Sequence, residues 1–169
     1  MSSGLSFAEL EAAAGAVIEI LKTIPEFSNS RIVVIGGLAQ LFYYKGSDGK
    51  LIQIDITPDW QYDINDSLQS PYVPSAAIPI STVRPNALPY ISELDLLIFK
   101  INSCGLRPTP GKKLRDATDD ALELLEDLNS KGPIVLSVSQ KNVILQCLDD
   151  VARMSGKDKA WWIAKLALN

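Results

Sequence analysis

Apolar residues recur every three or four positions through most of the chain, the spacing of helices with one buried face. In LSFAELEAAAGAVIEILKTIP the recurring set is Phe7, Leu10, Ala14, Val17, Leu21 and Ile24. Ser6 and Glu9 stand at capping-box spacing and Leu5 and Leu10 at that of a hydrophobic staple, so a helix is predicted from Ser6 until Pro25 ends it. ISELDLLIFKINSCG predicts a second helix, with Ser92 as cap, Asp95 three residues later and Gly105 as terminator. Apart from Asp95 and Lys100 it is apolar nearly all round, which makes it the central helix. Thr109 and Pro110 open a third, whose inner stripe is Leu114, Ala117, Ala121, Leu124 and Leu128. SQKNVILQCLDDVARMSG repeats the pattern through Ile144, Cys147 or Leu148, Val151 and Met154, and DKAWWIAKLAL forms a short last helix.

Between the first helix and residue 58 the pattern changes. RIVVIGG is short and β-branched, as in a buried strand; LAQLFYY is expected to follow as a short helix, and KGSDGK as a turn. LIQIDIT alternates, with Ile52, Ile54 and Ile56 on one face and Gln53 and Asp55 on the other, which predicts a strand that carries a carboxylate. Residues 58–90 hold six of the ten prolines and read as a long irregular crossing, with AAIPIST as its one short strand. The whole is an α/β (α+β) pattern: a strand-containing core over 1–90 and a helical part over 91–169 of a single domain.

The bulk numbers narrow the function classes. A chain of 169 residues suits one domain that buries about two thirds of its unfolded surface. The net charge of -4, without a run of Lys and Arg, argues against a duplex nucleic-acid partner and leaves small anionic ligands. Histidine is absent, which removes Ser-His and Cys-His catalysis and the commonest zinc ligand. Cys104 and Cys147 lie in apolar segments and read as buried free thiols of a reducing compartment, with a disulfide between them as the lesser alternative. The first residues lack the pattern of a signal peptide and no stretch reaches about 18 apolar residues, so the expected setting is cytoplasmic, without a membrane partner.

Four features could carry chemistry. Gly36 and Gly37, between strand and expected helix, are either a tight corner or a phosphate cradle on a helix N-terminus. Lys100 is either a snorkelling lysine or an ammonium presented to a cleft. Lys112, Lys113, Arg115, Asp116, Asp119 and Asp120 form a charged face in which Lys112 can meet Asp116 and Arg115 can meet Asp119. Asp55, with Asp63 nearby, is the strand carboxylate that could hold Mg²⁺, although one carboxylate makes a poor metal site.

Taken in order, VVIGGLAQL, the strand with Asp55 and ISELDLLIFKINSCGLRPTPGKKLRDATDDALELL resemble the nucleotidyltransferase superfamily, most of all its minimal and AbiEii-type branch with its fungal members. The resemblance covers roughly residues 5–130 and is most specific over 91–125. It implies a small mixed sheet packed on helices, phosphate binding at Gly36 and Gly37, and a lysine turned toward the nucleotide at Lys100. Ser92 and Asp95 match the opening of that helix, and Lys113, Arg115, Asp116 and Asp120 match the basic-then-acidic start of the next. Active members carry an Asp-apolar-Asp or Asp-apolar-Glu pair about ten residues after the glycines, and no such pair stands here. Asp55 then corresponds to the third carboxylate, or QID to a degenerate pair. The resemblance implies transfer of a nucleotidyl group from a nucleoside triphosphate to a hydroxyl, with Mg²⁺ on Asp55 as metal ligand and catalytic residue. The lost pair implies instead a non-catalytic binding or assembly module, a homodimer through an exposed strand edge. An enzyme of another class that reuses the cleft is the third reading.

Overall fold

The computed structural model describes residues 6–35, 41–45, 51–55, 73–84, 86–105 and 112–168, with the backbone alone described at 41–45, 51–55 and 112–117. They form helices α1 (Phe7–Lys22), α2 (Glu93–Gly105), α3 (Lys112–Lys131), α4 (Val138–Ser155) and α5 (Lys159–Lys165). The strands are β1 (Arg31–Ile32), β2 (Leu41–Lys45), β3 (Leu51–Asp55) and β4 (Ile78–Pro79). The class is α+β and mostly helical. Contacts gather the chain into two compact units, one of Met1–Ser70 with Pro74–Ile91 and one of Ser92–Asn169 with Pro71–Val73.

In the first unit the predicted capping box opens α1. The Ser6 hydroxyl accepts the Glu9 amide (3.3 Å) and the Glu9 carboxylate accepts the Ser6 amide (2.7 Å). The expected face is buried only in its second half, where Val17, Leu21 and Ile24 meet the core. Ala13, Ile18 and Leu21 are buried, whereas Phe7 and Leu10 are exposed. The middle of α1 is apolar on every side, so the packing partner rather than the period selects the stripe. That partner is the segment after β4: Ile18 and Leu21 form a core with Ile80 and Val83, flanked by Val17, Ile24, Phe27, Ile32, Ile78 and Leu88.

Among the described residues the strands form two antiparallel pairs rather than one mixed sheet. β1 pairs with β4, and β2 with β3. Residues 41–44, expected to be helical within LAQLFYY, form strand β2 together with Lys45, with Leu41 opposite Asp55, Tyr43 opposite Gln53 and Lys45 opposite Leu51. Phe42, Tyr43 and Tyr44 favour a pleated surface over a helix, and an alternating partner only five residues further on completes the pairing. RIVVI continues in extended pairing beyond β1, where the Val34 amide donates to the Pro89 carbonyl (2.7 Å) and the Ile91 amide to the Val34 carbonyl (2.9 Å).

Tyr90 closes this unit. Its hydroxyl donates to Glu11 (2.7 Å) and its ring stacks on Phe7 with centroids 6.2 Å apart. Desolvation, and then the bond and charge of Glu11, push its phenol up to about 12. A raised folded value means that folding favours the neutral phenol; the stabilisation is complete below the unfolded value of about 10 and is lost as pH climbs to the folded one. In an ultraviolet absorbance titration, subtracting the Tyr90→Phe protein from the native one should therefore leave one phenol that ionises about two units late. A normal midpoint for the missing phenol would refute the Glu11 contact.

The second unit is built round α2. The Gln140 amide donates to the buried Asp95 carboxylate (2.9 Å), and the Cys147 thiol to the Asn102 side-chain oxygen (3.4 Å). Both pairs are 45 residues apart in sequence, so α2 and α4 run parallel and in register over one heptad. Lys131 with Glu93, Asp120 with Lys100, and Thr118 with Cys104 reverse the order, which makes α3 antiparallel to α2. Leu97, Ile98 and Ile101 of α2 pack with Ala121 and Leu125 of α3 and with Val143, Ile144, Leu148 and Val151 of α4. Trp162 of α5 joins this core fully buried, and its ring N–H donates to Ser155 (3.0 Å). Gly132 (φ 144°) ends α3 and Gly156 (φ 67°) ends α4, both in backbone regions that favour glycine.

Gln140 has two partners at once. While its side-chain NH2 holds Asp95, its side-chain oxygen accepts the Ser137 backbone N–H (2.9 Å), and the Gln140 backbone N–H donates to the Ser137 hydroxyl in return (3.3 Å). Gln140→Ala should lower the unfolding free energy by about 2 kcal/mol in urea denaturation, the cost of a missing donor to a buried carboxylate plus half a capping box. A change below about 0.5 kcal/mol would show that the bridge is dispensable.

Candidate phosphate site at Lys100

Gly36 and Gly37 lie outside the described residues, as does Asp63. Asp55 ends β3 opposite Leu41, on a strand that lies against α1; its side chain is outside the described set. Lys100 is in the other unit, on α2. The dipole expected at the Gly36–Gly37 turn needed LAQLFYY as a helix. Leu41–Lys45 is strand, so among the described residues of that stretch there is no helix N-terminus.

Among the candidates read from the sequence, the structure describes the side chains of Lys100, Asp119 and Asp120. The neighbours of Lys100 on α2 are apolar, and Leu97, Ile98 and Ile101 are fully buried. The side chain is 14% exposed and its ammonium pairs at 2.5 Å with Asp120 of α3, which is 48% exposed. The lysine is thus neither free in a cleft nor simply in water. It is a mostly buried cation held at the α2–α3 boundary by one carboxylate that itself reaches solvent.

That pairing was not foreseen. The i,i+4 rule assigns Asp116 and Asp119 to cations of their own helix and leaves Asp120 over. Asp120 follows Asp119 and precedes the buried Ala121, so it stands at the edge of the inner stripe, where a short carboxylate can cross to the neighbouring helix. The side chains of Lys112, Lys113, Arg115 and Asp116 are outside the described set.

Both thiols are buried, as the sequence predicts. Cys104 donates to the Lys100 carbonyl (3.3 Å) and lies 3.4 Å from the Thr118 hydroxyl, while Cys147 faces Asn102. Burial, with the charge of Asp150 behind it, pushes the Cys147 thiol up, so it is a poor nucleophile. A cavity of about 200 Å³ lies between Leu94, Leu128 and the 131–135 turn. Lys131 at its rim is held by Asp127 and Glu93, which together raise its pKa, so this cation is already committed. Among the described residues no three His, Cys, Asp or Glu side chains gather to hold a metal ion, and no helix is long and apolar enough to cross a membrane.

The chain matches no protein-family model, no curated protein and no solved structure.

The thiols give the burial a direct check. A chromogenic disulfide reagent should leave native Cys104 and Cys147 unmodified over a time in which the urea-unfolded protein reacts at both. Rapid reaction of either thiol in the native state would contradict the packing of α2 against α3 and α4.

Proposed function

We propose that this protein is a nucleotidyltransferase-like protein without the metal-binding carboxylate pair, and that it binds a phosphate-bearing ligand, foremost a nucleoside triphosphate, at Lys100. The observation that carries the reading is the mostly buried ammonium paired to a single half-exposed carboxylate. An ammonium has three N–H donors, and among the described residues Lys100 gives one to a side-chain acceptor. The others suit phosphate oxygens, in charge-assisted bonds stronger than those to water. Gly36 and Gly37 belong to the other unit and are phosphate contacts only as the resemblance to the nucleotidyltransferase superfamily implies. Mg²⁺ would arrive on the triphosphate. The chain's own residues bind and orient; without the carboxylate pair the reading assigns them no group transfer.

Calorimetric titration with ATP, GTP, CTP and UTP, with and without Mg²⁺, tests the proposal on the native protein and on Lys100→Ala. At least one nucleotide should bind the native protein, and Lys100→Ala should weaken it about tenfold or more, the worth of one charge-assisted contact. Absence of binding by all four nucleotides, or equal binding by the variant, would overturn it.

A further inference from the structure

We propose that Asp120 is a built-in competitor for the anion at Lys100, so that a phosphate gains the ammonium only when the Asp120 carboxylate gives it up. The inference rests on the reading of Lys100 as the phosphate ligand and adds the regulation of that site. The two partners are unequal. Lys100 is fixed by its stem, 14% exposed on the central helix, whereas Asp120 is 48% exposed at the edge of α3. A short carboxylate on an exposed helix edge turns to water at small cost, so the partner that moves is Asp120. While the pair is closed it carries no net charge and supplies little long-range attraction for a polyanion. A phosphate that approached the closed pair would also meet the carboxylate at close range, with Asp119 beside it in sequence and Glu123 one helical turn on.

A phosphate can nonetheless win the exchange. It offers more charge and more acceptor oxygens than one carboxylate, and it can use N–H donors of Lys100 that Asp120 leaves. The closed pair therefore selects for polyphosphates and against singly charged carboxylates and other weak anions. Asp120 makes the site a threshold detector rather than an open anion trap.

The test is equilibrium binding of inorganic tripolyphosphate and of ATP to the native protein, Asp120→Asn, Asp119→Asn, Lys100→Ala and the double variant Asp120→Asn/Lys100→Ala. Thermal unfolding checks each fold, and Asp120→Ser replaces Asp120→Asn should the latter not fold. The expected result is that Asp120→Asn binds both anions about fivefold to tenfold tighter than native, that acetate begins to compete, and that the double variant loses the gain. Asp119→Asn, with the same change of net charge, should move affinity less than twofold. Three outcomes overturn the inference: no gain in Asp120→Asn, an equal gain in Asp119→Asn, or a gain that survives in the double variant. If the native protein binds through Lys100 and Asp120→Asn gains nothing, the phosphate reading stands without its competitor. If neither native nor Asp120→Asn binds either anion, both fall.

Discussion

The helical unit depends on one shared side chain. Gln140 caps its own helix through Ser137 and donates to the Asp95 carboxylate that stands at the third position of α2. Two helices therefore begin at the same level because one amide completes both beginnings. Asp95 is buried, and a buried carboxylate that loses a donor is costly. Any slip of α4 along α2 would strip that donor away, whereas Leu and Ile contacts tolerate a shift of one turn with little loss. The apolar core supplies the driving force for association; the Asp95–Gln140 bond selects the register.

With α4 in parallel register on one side and α3 antiparallel on the other, α2 has little free perimeter. Leu97, Ile98, Ile101 and Cys104 are all within 1% of complete burial. Polar groups on such a helix must find partners in its neighbours, and they do so at intervals along it: Asp95 with Gln140, Lys100 with Asp120, Asn102 with Cys147. These contacts lie at different heights and alternate between the two flanking helices. They pin both interfaces, and Lys100 is the member that stays at the boundary with solvent.

How much of this the sequence could foretell depended on whether the deciding interaction was local. Ser6 with Glu9, Ser92 with the Asp95 amide, and glycine at 105 are short-range signals, and the helix limits they imply agree with the structure. The centrality of α2 followed from its nearly uniform apolar surface. LFYY is strand where a helix is expected because an apolar run of that length has no distinguishing period; its strand character comes from pairing with LIQID, which is a matter of context. On α1 the helix itself was clear but its buried face was not, since AAAGAVIEIL offers several equivalent stripes. The partner of Lys100 was out of reach for a related reason: a bond across twenty residues of sequence joins two helices, and no rule of spacing within one helix names it.

The Lys100–Asp120 pair is hard to explain as a stabilising device alone. Partly exposed ion pairs contribute about 0–1 kcal/mol, and mostly buried ones pay a desolvation cost that a well-packed apolar pair avoids. A leucine or methionine at position 100 would extend the surface that Leu97 and Ile101 already form, and it would leave Asp120 in water. Structural economy therefore favours an apolar residue where the chain has a lysine. The ammonium makes physical sense if its charge is used from outside. In that case the carboxylate opposite it has two effects: it lowers the cost of holding a cation at the edge of the core, and it sets how strong an anion must be to take its place.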